Sequence, residues 1–174
     1  MKEAKPFEAD IRRGANLSPC RQYRYVLWRK WDETRPSMCW VMLNPSTADA
    51  EQDDPTIRRC LDFAWRWGCG AMYVVNLFAW RATRPRELRE IPDPVGPDND
   101  GCIVEYCRRA RFIVAAWGAF GGLRGRHKEV YRLLAESAYQ VLCLGYTATG
   151  HPRHPLYAPK RATLRRYVME ACEE

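Results

Sequence analysis

The chain has 174 residues, 47% apolar and 12% aromatic, which suits one domain, 1–174, with a substantial core. Lys and Arg number 28 against 21 Asp and Glu, for a net charge of +7 and a pI of about 9.1. No run reaches the ~20 apolar residues of a membrane helix, and the N-terminus MKEAKPFEADIRRG has no apolar stretch, so a soluble cytoplasmic protein with no membrane partner is expected.

Lys2, Lys5, Lys30, Lys128 and Lys160 are the only lysines; the other basic residues are Arg. The guanidinium fork grips phosphate with two bonds and stacks on bases, so a nucleic acid or nucleotide partner is the first expectation. A genome that uses Arg where others use Lys gives the same bias. The eight Cys form no Cys-x-x-Cys pair. Free buried thiols are expected, with neither a metal site nor a cofactor.

In chain order, YRYVLWRKW (23–31) alternates like a strand at a sheet edge, and MCWVML (38–43) reads as a strand buried on both faces. Asp54 and Pro55 then open a helix as N-cap and first residue, with Ile57, Cys60, Leu61, Ala64 and Trp65 as its apolar stripe and Gly68 past its end. AMYVVNLF (71–78) is the next strand, followed by a Pro- and Arg-rich loop over 79–99. A helix over 100–109, the strand RFIVAAW (111–117), a helix over 126–137, the strand YQVLCLG (139–145), a polar loop and a last helix over 160–172 complete the pattern. Alternating strands and helices define an α/β domain around a mostly parallel sheet.

Ligands of such sheets bind at the carboxyl ends of the strands. Those ends carry Asn44, Asn76, Trp117 and the loop with His151 and His154. A carboxamide matches the donor-beside-acceptor edge of a nucleobase, although a single Asn commonly satisfies loop backbone instead. Pro after each His removes a donor and fixes the path, which holds an imidazole still for catalysis; a surface turn is the plainer alternative, and His-x-x-His without a third ligand makes a poor metal site. Asp49 and Asp53 are candidate catalytic carboxylates, whereas Asp54 reads as the helix cap. Arg81, Arg84 and Arg86, in the long loop with Trp80, suit phosphate contacts, with a solvated loop as the plainer alternative.

The segments LNPS (43–46), VVNLFAWRATRP (74–85), FIVAAWGAFG (112–121) and GHPRHPLY (150–157) resemble, in order, an uncharacterised bacterial and phage family, DUF1643. More distantly they resemble the uracil-DNA glycosylase superfamily, whose motifs are GQDPY or GxNPG, a strand ending in Asn, a strand ending in Trp-Gly and an HPSPLS-like loop. That resemblance implies a three-layer α/β/α sandwich with a central, mostly parallel four-stranded sheet. It implies that Asn44 positions water, that Asn76 bonds an extruded base, and that His154, or else His151, stabilises charge on the departing base. Trp117 and Tyr157 fall to base contact, and Arg81, Arg84, Arg153 and Lys160 to the backbone.

The departures are specific. The Asp of GQDPY is absent, leaving Asp53 or Asp49 to compensate; Leu43 and Ser46 replace the glycines of GxNPG; and the loop after His154 lacks the usual apolar wedge sequence. The readings that follow are a glycosylase-like hydrolase of a modified or unusual base, a base-binding module without chemistry, and a base-modifying enzyme on the same scaffold.

Overall fold

The computed structural model describes residues 11–137 and 139–169. Its frame is a mixed sheet of seven strands: β1 (Arg12–Leu17), β2 (Arg24–Lys30), β3 (Ser37–Met42), β4 (Ala71–Asn76), β5 (Phe112–Ala115), β6 (Val141–Cys143) and β7 (Arg165–Arg166). They lie in the order β1-β2-β4-β3-β5-β6-β7. The neighbours β4-β3-β5-β6 run parallel, while β1 and β2 on one side and β7 on the other are antiparallel additions. The sheet is therefore wider than the four strands expected, with four parallel strands inside it.

Three helices cover it: α1 (Pro55–Arg66), α2 (Asn99–Arg109) and α3 (Arg126–Glu136). Strand alternation sends Met38, Trp40, Met72 and Val74 to one face, where Ile57, Cys60, Leu61, Phe63 and Ala64 of α1 bury them. Cys39, Val41, Tyr73 and Val75 face the other way, onto Ile103, Tyr106 and Cys107 of α2 and Val130 and Leu134 of α3. Both faces of β3 and β4 are thus dry, which is why their sequences are continuous apolar runs. Phe63, rather than Trp65, completes the buried stripe of α1; Trp65 is half-buried beneath the Arg35 guanidinium.

β2 is interior, not an edge, because β1 pairs along it from Arg12↔Lys30. The expected last helix over 160–172 does not form within the described residues. Arg165 and Arg166 instead pair with β6, and Tyr167 drops into the core against Trp117, Tyr131 and Tyr146. Residues 170–172 of that helix lie outside the described residues. The loop over 79–99 contains a short 3-10 helix, Pro85–Arg89, seated by buried Leu88. No helix among the described residues is long and apolar enough to cross a membrane.

One feature of the connectivity positions the site. The chain leaves β3 for β4 on one side and later enters β5 on the other, so the crossovers from the central strands diverge. The gap at the carboxyl ends of β3 and β5 is the topological switch point at which open α/β sheets bind ligands.

Candidate functional site

A cavity of about 480 Å³ opens at that switch point. Asn44 and Asn76 come to it from the ends of β3 and β4, Trp117 and Gly118 from the end of β5, Arg24 from the start of β2, Asp54 from the α1 cap, and Arg153 and His154 from the His-Pro loop. Its volume lies in the range of small-molecule sites.

Asn76 is 1% exposed, and its Nδ2 finds no partner in the protein. A buried amide donor left unsatisfied costs ~1–3 kcal/mol, and Asn76 is among the residues that line the cavity, which makes it the candidate to bond a ligand acceptor there. The backbone beneath it is fixed: Asn99 Nδ2 donates to the carbonyls of Asn76 (2.9 Å) and Leu77 (3.2 Å), and Arg126 Nε donates to Leu77 O (2.9 Å). Arg126 is itself held by Asp100 and Glu129.

Asn44 is arranged differently. Its Nδ2 donates to Pro45 O (3.0 Å) and Ala82 O (2.7 Å), which ties the end of β3 to the long loop. The donor is spent on backbone, and only the carbonyl oxygen is left to accept from a ligand or water.

The imidazole of His154 has one defined role. Its Nδ1 accepts from Leu156 N (3.2 Å), so the neutral ring carries its proton on Nε2. Burial pushes its pKa down to about 4, against a smaller opposing pull from Asp54. At neutral pH it is an uncharged N–H donor. Its loop is pinned on both sides: Gly118 N donates to Pro152 O (2.9 Å), and Arg59 Nη2 donates to Ala158 O (2.9 Å). Gly118 has φ +73, and a Cβ there would stand 3.2 Å from that of His154. Glycine after Trp117 is therefore what allows the two motifs to touch.

Asp54 Oδ1 accepts from Ile57 N (2.8 Å), as an N-cap does. The same carboxylate also lines the cavity, and among the described residues it has no ion-pair partner within 4 Å. Trp117 is 1% exposed and stands edge-on to Tyr167 at 5.5 Å, so its ring is first a core residue. Gly121 lies against that ring: a Cβ there would fall 1.9 Å from the Trp117 indole. Gly121→Ala is expected to destabilise the protein by ~1–3 kcal/mol and to change the near-UV circular dichroism of the tryptophans, because a packed indole must move. Unchanged stability and spectrum would mean that the ring has room to yield.

The surface rings sit at the mouth. Phe120, Leu156 and Tyr157 line the cavity, and Tyr157 is 79% exposed. Leu156, in a loop that lacks the usual apolar wedge sequence, still supplies an exposed apolar side chain.

The other expected site residues lie elsewhere. Asp53 pairs with the fully buried Arg29 (2.7 Å), and Asp49 accepts from Glu51 N and Gln52 N at 2.8 Å to close a turn. His151 stacks edge-on against His127 at 5.0 Å. Arg81, Arg84 and Lys160 are not among the residues that line the cavity, while Arg153 is, with its Nη2 on Tyr146 O (3.0 Å). Arg24 and Asp54 are the functional candidates that sequence reasoning missed. The available signal for Arg24 was a charge inside the otherwise apolar run YRYVLW. No group of three or more potential metal ligands occurs among the described residues.

The fold and its cavity define an α/β protein with a small-molecule-sized pocket at the sheet's switch point. Over residues 24–156 the sequence matches the model of the family described as protein of unknown function (DUF1643), and the chain belongs to that family. No curated protein and no solved structure matches it.

Proposed function

We propose that the cavity is a nucleobase pocket and that the protein is an N-glycosidase of a modified or unusual base. The observation that carries this reading is the buried, unpartnered amide of Asn76 in the same cavity as the neutral imidazole of His154. Asn-Pro, the strand-end Asn, Trp-Gly and His-Pro, in chain order around one cavity, support the likeness to the uracil-DNA glycosylase superfamily.

In the reaction, the C1′–N bond breaks with its electron pair going to the base, and the sugar becomes cationic. Asn76 holds the base edge. His154 Nε2–H donates to the base oxygen as negative charge builds there, an interaction stronger in the transition state than in the ground state. The Asp54 carboxylate faces the developing cation and takes a proton from the water that adds to C1′; the base leaves as an anion held by the His154 N–H and takes its proton from solvent, to which Asp54 returns the one it accepted. Asp54, rather than Asp49 or Asp53, is the carboxylate with access to the cavity.

The test is free-base release. The purified protein is incubated with the DNA, RNA and nucleotide pools of its host, and the small-molecule fraction is analysed by mass spectrometry. A base released by the intact protein, and not by Asn76→Leu, is the expected result. Asp54→Asn keeps a capping side chain, so stability should change by under ~0.5 kcal/mol while release falls at least a hundredfold. Undiminished release in Asp54→Asn would remove the carboxylate from the mechanism.

A second reading, a base-binding module without chemistry, is favoured by Asn44, whose amide donors are spent on backbone and do not hold water. Its signature is base-dependent binding without release. If nucleic acid is the partner, that binding should weaken steeply with salt.

A further inference from the structure

Arg24 is 3% exposed, yet its guanidinium makes one hydrogen bond, from Nη1 to Ala48 O (2.6 Å). Its Nε is buried with no partner in the protein. Burial lowers its pKa to about 10, against smaller opposing pulls from the carboxylates of Asp54 and Asp49, so the group remains charged at neutral pH. No carboxylate lies within 4 Å of it among the described residues, whereas Arg29 on the same strand has Asp53. A buried charge with so few partners is costly unless an anion completes it.

Arg24 lines the same cavity as Ser46 and as Thr56 in the first turn of α1, a helix of 12 residues whose N-terminal dipole favours negative charge. Two guanidiniums, Arg24 and Arg153, line the cavity against one carboxylate, Asp54, and His154 is neutral, so the cavity carries net positive charge.

We infer that the cavity has an anion subsite at Arg24, Ser46 and Thr56, and that its ligand is a free nucleoside monophosphate, with the phosphate on Arg24 and the base on Asn76. This rests on the nucleobase reading of the same cavity. The placement separates a free nucleotide from a strand. A phosphodiester must leave room for the chain on both sides, and strands are held by exposed cations along a groove. Here the unpartnered guanidinium is buried inside the cavity rather than exposed along a groove.

Ribose 5-phosphate probes the subsite without any base. It should raise the melting temperature of the full chain saturably and bind by calorimetry. Arg24→Gln should weaken it at least tenfold, and Arg24→Lys, which keeps the charge, should recover part of the loss. Circular dichroism confirms that each variant is folded; if Arg24→Gln is not, the comparison of Arg24→Lys with Ser46→Ala, Thr56→Val decides. No binding of ribose 5-phosphate, or equal binding by all variants, overturns the subsite. A single-stranded tetranucleotide lacking terminal phosphates that binds as tightly as the mononucleotides, and depends on Arg24, overturns the free-nucleotide assignment. Failure of the base pocket looks different. Ribose 5-phosphate then binds through Arg24, but none of the common nucleoside monophosphates binds more tightly, and Asn76→Leu changes nothing.

Discussion

Asp53→Ala is expected to lower the unfolding free energy by ~3–5 kcal/mol, the largest single-residue effect at the margin of the site. Asp53 bonds Arg29 through Nε (2.8 Å) and Nη2 (2.7 Å). Arg29 has no exposed side-chain surface, and its remaining bonds go to the carbonyls of Trp28 (2.9 Å), Asp49 (2.8 Å) and Gly14 (3.5 Å). Without Asp53 a cation stays buried on neutral acceptors alone. The ion pair also ties the loop over 49–53 to β2, which sets where α1 starts and therefore where Asp54 points. Urea denaturation of Asp53→Ala, Arg29→Leu and the double variant gives the coupling directly. The double variant should be less destabilised than the sum of the two, because the stranded charge is gone. A loss under ~1 kcal/mol in Asp53→Ala would mean that water reaches Arg29. Base release that disappears in a variant of undiminished stability would return Asp53 to the chemistry.

The difference between Asp53 and Asp54 shows where sequence reasoning stopped. Both stand ahead of a helix in the same acidic run. One residue of chain direction sends the first to β2 and the second to the cavity, and only the loop's path decides which. Asp54 was legible as a cap because a cap needs local pattern alone: Asp, then Pro, then an apolar period. That the same carboxylate faces a cavity is a tertiary fact.

The four parallel strands were legible because burial on both faces makes their sequences uniformly apolar. β1 was not: RRGANL has no fully buried residue and pairs with β2 through backbone bonds that leave no apolar trace. The final segment misled because its spaced apolar residues suited a helix. Tyr167 is buried against Trp117 and Tyr131, and that cluster holds the chain extended beside β6. The strand-end rule found Asn44, Asn76, Trp117 and His154 because it depends on topology alone. It missed Arg24, which reaches the same rim from the start of an antiparallel strand.

For His154 the expectation combines stability and pH. Its folded-state pKa, about 4, lies below the usual His value of about 6.5 because burial disfavours the charged ring. In the unfolded chain the ring takes a proton near pH 6.5, and in the fold it does not until about pH 4. The unfolded state therefore binds more protons across that window. The contribution of His154 is fully present above pH 6.5 and is lost as pH falls toward 4. His154→Gln should flatten this part of the curve while leaving stability at pH 7.5 little changed. A wild-type curve no steeper than the variant's between pH 6.5 and 4 would mean that the ring titrates normally in the fold. The same ring has a kinetic signature. A neutral donor needs no protonation, so base release should hold level from pH 7 down to 5 instead of rising as imidazolium forms. His154→Gln should cut it ~10²–10³-fold, the usual cost of a donor aimed at developing charge. A rate that climbs through pH 6.5 on acidification, and stops climbing in the Gln variant, would show that the protonated ring is the donor.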